Sequence, residues 1–380
     1  MAVYLIGFAL AVGMAAVAQK RRRLTYLALS CGAVLILCLI AGLRAQTVGT
    51  DVTVYVKPLT RAAIMADDLK HFFSMHWFRD WHTIYVSEFE YGFSLLVYVI
   101  AKVTKSLGAV LFVLQALTIV PIYIAFSRRR KTFPVWLGVL VYCLLCYPIT
   151  LNAMRQWMAI GFLVLAMQML LEKKWGITLL LSVIAFVFHY SAIMMVLIYF
   201  VYWLLQRSQK TVLIHQRLSV KGPTMVVILL FLVALLAIMN LQLIVKLMTM
   251  VGLGRFNNYL DGEPLSLEIG QILWKLPLVL LFLMNWKDMN RYSKTAPFFL
   301  TMLLMDIVSN QLVSVDVIAL RIGFYFSAYS LLWIPELCAC QKPGVKRGFT
   351  VTVIIGYCLF YWWYQFIFCG RNETYPYVFS

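Results

Sequence analysis

Apolar residues in this chain run in continuous blocks of about twenty, separated by short clusters of lysine and arginine. A soluble helix keeps a polar stripe along one side, so helices that are apolar all round belong in lipid. The pattern predicts spans at 3–18, 24–43, 107–126, 133–149, 152–171, 175–188, 190–206, 224–245, 271–286, 296–314, 321–337 and 349–369. That describes an all-α polytopic integral membrane protein with about twelve transmembrane helices. A transmembrane β-barrel would instead alternate apolar and polar residues over strands of about ten, and these blocks do not alternate.

One apolar stretch stays outside the count. Residues 90–106 are short and include Lys102 and Lys105, which predicts an interfacial or re-entrant helix. Charge sets the orientation. With that helix left out, 20 of the 33 basic residues and only three of the 15 acidic ones, Glu172, Asp288 and Glu336, fall on one side. The positive-inside rule makes that side cytoplasmic and turns both termini outward. Were residues 90–106 to cross, every later basic cluster would move outside. No linker, low-complexity stretch or repeat interrupts the pattern, which predicts a single transmembrane domain over 1–380.

Composition agrees. The 380 residues are 63% hydrophobic and 13% charged, and mean hydropathy is +0.86. The net charge of +18 would suit a nucleic-acid binder, but its residues are dispersed beside apolar blocks as topology signals, so no nucleic-acid partner is expected. Residues 3–18, followed by Lys20 to Arg23, lack a basic leader and a small-residue cleavage site and are expected as a first span. All eight cysteines lie within or at the ends of apolar blocks, and Cys143 and Cys146 read as core residues one turn apart rather than a metal or redox pair.

The uncommon polar residues gather on the outer side. Two outer loops are long, one within 44–106 that ends in the interfacial helix and one at 246–270. The first mixes Trp, His and Asp, as a solvated cap would and as a sugar-binding surface would. Arg155 lies in the first turn of a span and Arg321 opens another, both with the helix N-terminus facing outward. Free N–H groups, partial positive charge and a guanidinium there make an anion site, suited to phosphate. The alternative is an interfacial arginine that snorkels to water. The run from Trp175 to Leu205 is too short for two full spans, so His189 at its turn is expected in a recess below the outer surface. His71, His76 and His82 lack ligand spacing, and no metal site is expected there.

The series Arg44, Val48-Gly49-Thr50-Asp51 and Tyr55, Glu90-Tyr91-Gly92-Phe93, Asn152-Ala153-Met154-Arg155-Gln156, Phe188-His189-Tyr190-Ser191-Ala192, and Arg321 with Tyr325 resembles the EpsG family of Wzy-like exopolysaccharide and O-antigen polymerases. The loop with Arg255, Asn257 and Tyr259 is a weaker match. The resemblance implies a membrane-embedded, GT-C-like glycosyltransferase of the bacterial inner membrane. It would join oligosaccharide repeat units carried on undecaprenyl diphosphate at the periplasmic or exterior face, without a cofactor or metal. It also implies membrane lipids, a flippase and a chain-length regulator as partners.

Two chemical demands follow for such a transfer. Departure of the diphosphate builds negative charge, assigned to Arg155 and Arg321 with Arg44 as a third candidate. The acceptor hydroxyl needs a base and the oxocarbenium-like centre a carboxylate, for which His189, Asp51 and Glu90 are candidates left unranked. Tyr55, Gln156, Tyr190 and Tyr325 are candidates for holding the glycan. The rivals are an O-antigen ligase, which shares the donor, and a non-enzymatic flippase, which would line a path to both faces.

Overall fold

The computed structural model describes residues 1–208, 211–215, 218–240, 267–314 and 319–380, with backbone alone at 211–220 and Ala319. The second outer loop before residue 267, including Arg255, Asn257 and Tyr259, lies outside the described residues, as do Lys210, Arg217 and 241–245. Contacts divide the chain into two compact units, Met1–Ile193 with Val351–Ser380, and Met194–Thr350.

The first unit contains α1 (Ala2–Gln19), α2 (Arg23–Gly42), α3 (Lys57–Met65), α4 (Tyr91–Thr104), α5 (Leu107–Arg128), α6 (Val135–Thr150), α7 (Met154–Leu171) and α8 (Trp175–Phe188). Between α3 and α4 lies a hairpin of β1 (His76–Arg79) and β2 (His82–Tyr85), with His76 opposite Tyr85 and Arg79 opposite His82. Helix α7 is the hub: 83% of its residues are buried, so it is ringed by protein rather than lipid.

Polar groups staple one end of this unit. The Gln19 side chain donates to the carbonyls of Arg130 (2.9 Å) and Phe133 (2.8 Å) and accepts from the Val135 amide (2.9 Å). Tyr26 donates to Ser127 Oγ at 2.5 Å, Arg130 lies 4.3 Å above the Tyr26 ring, and Arg128 pairs with Glu172. Three basic clusters therefore share one end of the unit. The opposite end holds the α2–α3 connection, the hairpin and the C-terminal residues.

Both ends of α4 belong to that opposite end. Its C-terminus passes through Lys105 and Ser106 directly into α5, whose far end is stapled at the basic side. Its N-terminus meets Arg155 and His189, at the non-basic ends of α7 and α8. Both ends of this 14-residue helix therefore lie at the same end of the unit.

The second unit contains α9 (Met194–Arg207), a hairpin of β3 (Thr211–His215) and β4 (Leu218–Lys221), α10 (Gly222–Met239), α11 (Ile269–Met284), α12 (Trp286–Tyr292), α13 (Ala296–Ser309), α14 (Gly323–Ser327), α15 (Ser330–Ala339) and the start of α16 (Val345–Trp362). Helices α11 and α12 bend by 64° at Asn285. A buried ion pair, Lys275 Nζ to Asp306 Oδ2 at 2.6 Å, ties α11 to α13. Polar groups within the bilayer are stable when paired in this way.

Among the described residues, eight helices are long and apolar enough to cross a membrane, or nine counting the bent α11–α12 pair. They correspond to the spans expected at 3–18, 24–43, 107–126, 152–171, 190–206, 296–314 and 349–369, and to the described part of 224–245, whose residues 241–245 lie outside the described residues. The other four expected spans are helical but shorter or broken: α6 contains a π-turn at Tyr142–Cys146, α8 has 14 residues, α11 has 16, and 321–337 splits into α14 and α15.

Candidate functional site

The motifs quoted from the first half of the sequence converge at the non-basic end of the first unit. Gly49 and Asn152 bring two of them together. Gly49 has φ +89°, and a Cβ there would stand 2.7 Å from the Leu151 carbonyl oxygen, so only glycine lets the 48–51 segment lie against residue 151. The Asp51 amide then donates to Asn152 Oδ1 at 3.0 Å. Gly92 does the same for Glu90 and His189: a Cβ would meet Val187 Cγ1 at 2.4 Å and its carbonyl oxygen at 2.9 Å.

Glu90 is the centre of the result. Only 6% of its side chain is exposed, yet it bonds two groups: Arg155 Nη1 donates to Oε2 at 2.6 Å, and His189 Nδ1 stands 2.6 Å from Oε1. Burial pushes the carboxyl up, but the His189 hydrogen bond and the charge of Arg155 outweigh it and hold Glu90 at about 2. An ionised carboxylate only accepts, so His189 donates from Nδ1, which leaves Nε2 as the nitrogen for other chemistry.

Arg155 is held by rings as well as by charge. Its guanidinium carbon lies 4.7 Å from the centroid of Tyr55, 5.0 Å from Phe89 and 5.8 Å from Phe93. Tyr55 in turn donates to Asp51 Oδ2 at 2.5 Å. Asp51, Tyr55, Arg155, Glu90 and His189 thus form one continuous polar network. Arg155 is therefore held within protein, on the enclosed α7 and paired with Glu90.

Arg44 differs from Arg155 in having no carboxylate. It is 2% exposed, Nη2 lies 3.2 Å from Met154 Sδ, and Nε and Nη1 are buried without a hydrogen-bond partner among the described residues. Burial pushes its guanidinium down, and the phenols of Tyr147, Tyr4, Tyr377 and Tyr55 work against that shift. The C-terminal residues roof it. Ala45 N donates to Val378 O (2.7 Å), Ser380 N to Leu43 O (2.9 Å) and Gly49 N to Glu373 O (2.9 Å), while Thr50 Oγ1 donates to Glu373 Oε2 (2.7 Å).

The remaining candidates lie elsewhere. Gln156 is buried in α7, and Tyr190 is exposed, with its ring 5.5 Å from Phe186. Arg321, in the 3₁₀ turn Ala319–Ile322, and the buried Tyr325 belong to the second unit. Residues not singled out from sequence include Phe89, Tyr4, Tyr147 and Tyr377. Phe89 precedes Glu90 in extended backbone and Phe93 follows it in the first turn of α4. The hairpin extends the aromatic set: Trp77 stacks on Phe89 at 5.7 Å, and Trp81 at its turn is 89% exposed.

Fold and site together define a polytopic membrane protein with an ionised, protein-enclosed cluster at one end of its helices. Residues 27–379 match the EpsG family, and the chain belongs to it. Membership implies a polysaccharide-polymerase-like membrane protein of glycosyltransferase type. No curated protein and no solved structure matches the chain.

Proposed function

We propose that the protein joins lipid-diphosphate-linked oligosaccharide units into a polysaccharide in one displacement at the Glu90 cluster. The observation that supports this reading is Glu90 bridging Arg155 and His189 in a buried setting. A carboxylate held at about 2 is too weak a base for an alcohol, so Glu90 serves as the positioning residue and His189 as the base. The acceptor hydroxyl attacks the anomeric carbon of the chain being transferred, its proton passes to His189 Nε2, and the bond to the lipid diphosphate breaks. Arg155 and Arg44 stabilise the departing diphosphate, and Arg44 offers the donors that no carboxylate occupies. Asp51, beside Tyr55, is the carboxylate assigned to the oxocarbenium-like centre, with Tyr55 and Gln156 near the glycan.

Arg321, Tyr190 and Tyr325 keep roles that rest on their place in the motif series: phosphate for the arginine, glycan for the tyrosines. The same grounds give undecaprenyl diphosphate as the lipid, the GT-C-like class, some twelve crossings, no cofactor or metal, a flippase and a chain-length regulator as partners, and a bacterial inner membrane with the site facing outward.

The test is the purified protein in vesicles supplied with synthetic undecaprenyl-diphosphate-linked repeat units. A ladder of products is expected from the native protein. Arg155→Ala and His189→Ala should lose it by at least ~10²-fold with protein level retained. Transfer of preformed chains to a different acceptor would show a ligase, and movement of units without new bonds a flippase. Native ladders from both variants would remove the cluster from the chemistry.

A further inference from the structure

The second unit has a cavity of its own, remote in sequence from the Glu90 cluster. It occupies about 730 Å³ between α12 and the turn joining α15 to α16, and its lining includes Asp288, Arg291, Gln341, Lys342 and Lys346. It is a built feature. Gln341 is buried at its base and donates to Asn285 Oδ1 (2.9 Å) and Thr350 Oγ1 (3.0 Å), which fastens the turn both to the bend between α11 and α12 and to α16. Met289, fully buried, anchors α12 from beneath.

The charge of the walls is unbalanced. Lys346 Nζ pairs with Asp288 Oδ2 at 2.5 Å, and this hydrogen bond, with the charges of Lys346 and Arg291, holds the Asp288 carboxyl below its ordinary range. That accounts for the single carboxylate. Arg291 and Lys342 make no ion pair or side-chain hydrogen bond among the described residues and point two further positive charges at one cavity. At the lip, the first turns of α16 expose Val345 (92%) and Phe349 (59%), an apolar surface on a helix that enters the membrane. A cationic cavity beside an exposed apolar helix face matches an amphiphile whose head is an anion and whose tail is hydrocarbon.

We propose that this cavity binds the phosphodiester head of an anionic glycerophospholipid, with the acyl chains lying along the Phe349 face of α16. Arg291 gives the phosphate a planar, forked donor, Lys342 gives it a mobile point charge, and Gln341 keeps the two walls at a fixed separation. The lipid thereby fastens α12 to the start of α16. A zwitterionic lipid, which adds a cation to the head, is disfavoured by the same charges.

The experiment uses the full-length protein in nanodiscs of phosphatidylcholine with phosphatidylglycerol at equal amounts, extracted gently and weighed by native mass spectrometry. Retention of one phosphatidylglycerol in preference to phosphatidylcholine is expected, and Arg291→Ala with Lys342→Ala should reduce it by roughly tenfold. Lys173→Ala with Lys174→Ala, a cationic pair outside the lining of this cavity, should leave retention unchanged. Equal losses in both double variants would reduce the effect to surface charge and overturn the site. Millimolar inorganic phosphate is expected to leave the lipid in place; displacement of the lipid by phosphate would assign the cavity to a soluble phosphate compound instead. Melting temperature in phosphatidylcholine alone reports folding of the variant, and a double variant that is folded yet retains phosphatidylglycerol as the native protein does would also overturn the proposal.

Discussion

Glu90 has two neighbours that compete for it, and the competition fixes what each residue can do. Arg155 and His189 bind different oxygens of one carboxylate, so replacing Glu90 by glutamine leaves the shape but removes the charge that balances a largely buried guanidinium. Glu90→Gln is expected to lose at least ~10² in rate and to lower the melting temperature. The pH dependence has a definite sign. The carboxyl is held at about 2 against an ordinary 4.5, so its contribution is complete above 4.5 and is lost as pH falls towards 2. It amounts to about 3 kcal/mol at most. Thermal melts of the native protein between pH 5 and pH 2.5 should therefore fall more steeply than those of Glu90→Gln. Parallel curves would mean that the folded protein does not hold the carboxylate in this pair. Ionisable residues within apolar sequence are conspicuous, which is why Arg155, Glu90 and His189 could be named from sequence; that Glu90 joins the other two could not, because the contact depends on Gly92 closing on Val187.

At the scale of elements, the C-terminal segment does for Arg44 what Gly92 does for Glu90. Four hydrogen bonds tie residues 373–380 to residues 43–50, and two phenols add more: Tyr4 donates to Thr374 O at 2.8 Å and Tyr377 to Ile40 O at 2.9 Å. The packing of the Tyr377 ring on Tyr4 at 5.4 Å completes the cover. Ending the chain after Gly370 should therefore uncover Arg44. Modification by phenylglyoxal, read by peptide mass spectrometry, is expected to rise at Arg44 by tenfold or more, while Arg155, clamped by Glu90 and three rings, should change little. Unchanged protection of Arg44 would mean that the phenols of Tyr4, Tyr55 and Tyr147 enclose it without the segment. None of this was legible in the sequence. The segment is short and without periodicity, and tyrosines near the ends of membrane helices are ordinarily interfacial anchors, so of the four that surround Arg44 only Tyr55 stood out in the sequence.

For the whole molecule, apolar block length and the distribution of lysine and arginine reveal a great deal, because both are imposed by the bilayer rather than by side-chain fit. Eight of the expected spans are long apolar helices, whereas of the four that are shorter or broken α6 contains a π-turn, α11 bends into α12, 321–337 splits in two and α8 is simply short, differences that block length does not register. Orientation rests on α4 alone. Within the first unit both of its ends lie at the end away from the Gln19 and Arg128 staples, so the clusters at Lys20–Arg23, Arg128–Lys131 and Lys173–Lys174 stay together. A cysteine-free protein given one cysteine at a time tests this in intact cells with a membrane-impermeant maleimide. Thr83→Cys, on the exposed hairpin, should label from outside, and Lys174→Cys only after the membrane is opened. If α4 crossed, Thr83 and Lys174 would label from the same side, since one helix more would separate them. The reverse pattern, Lys174 outside and Thr83 protected, would place the Glu90 cluster at the cytoplasmic surface. A cytoplasmic cluster could not act on lipid-linked units presented outside, so this measurement decides the chemistry as well as the topology.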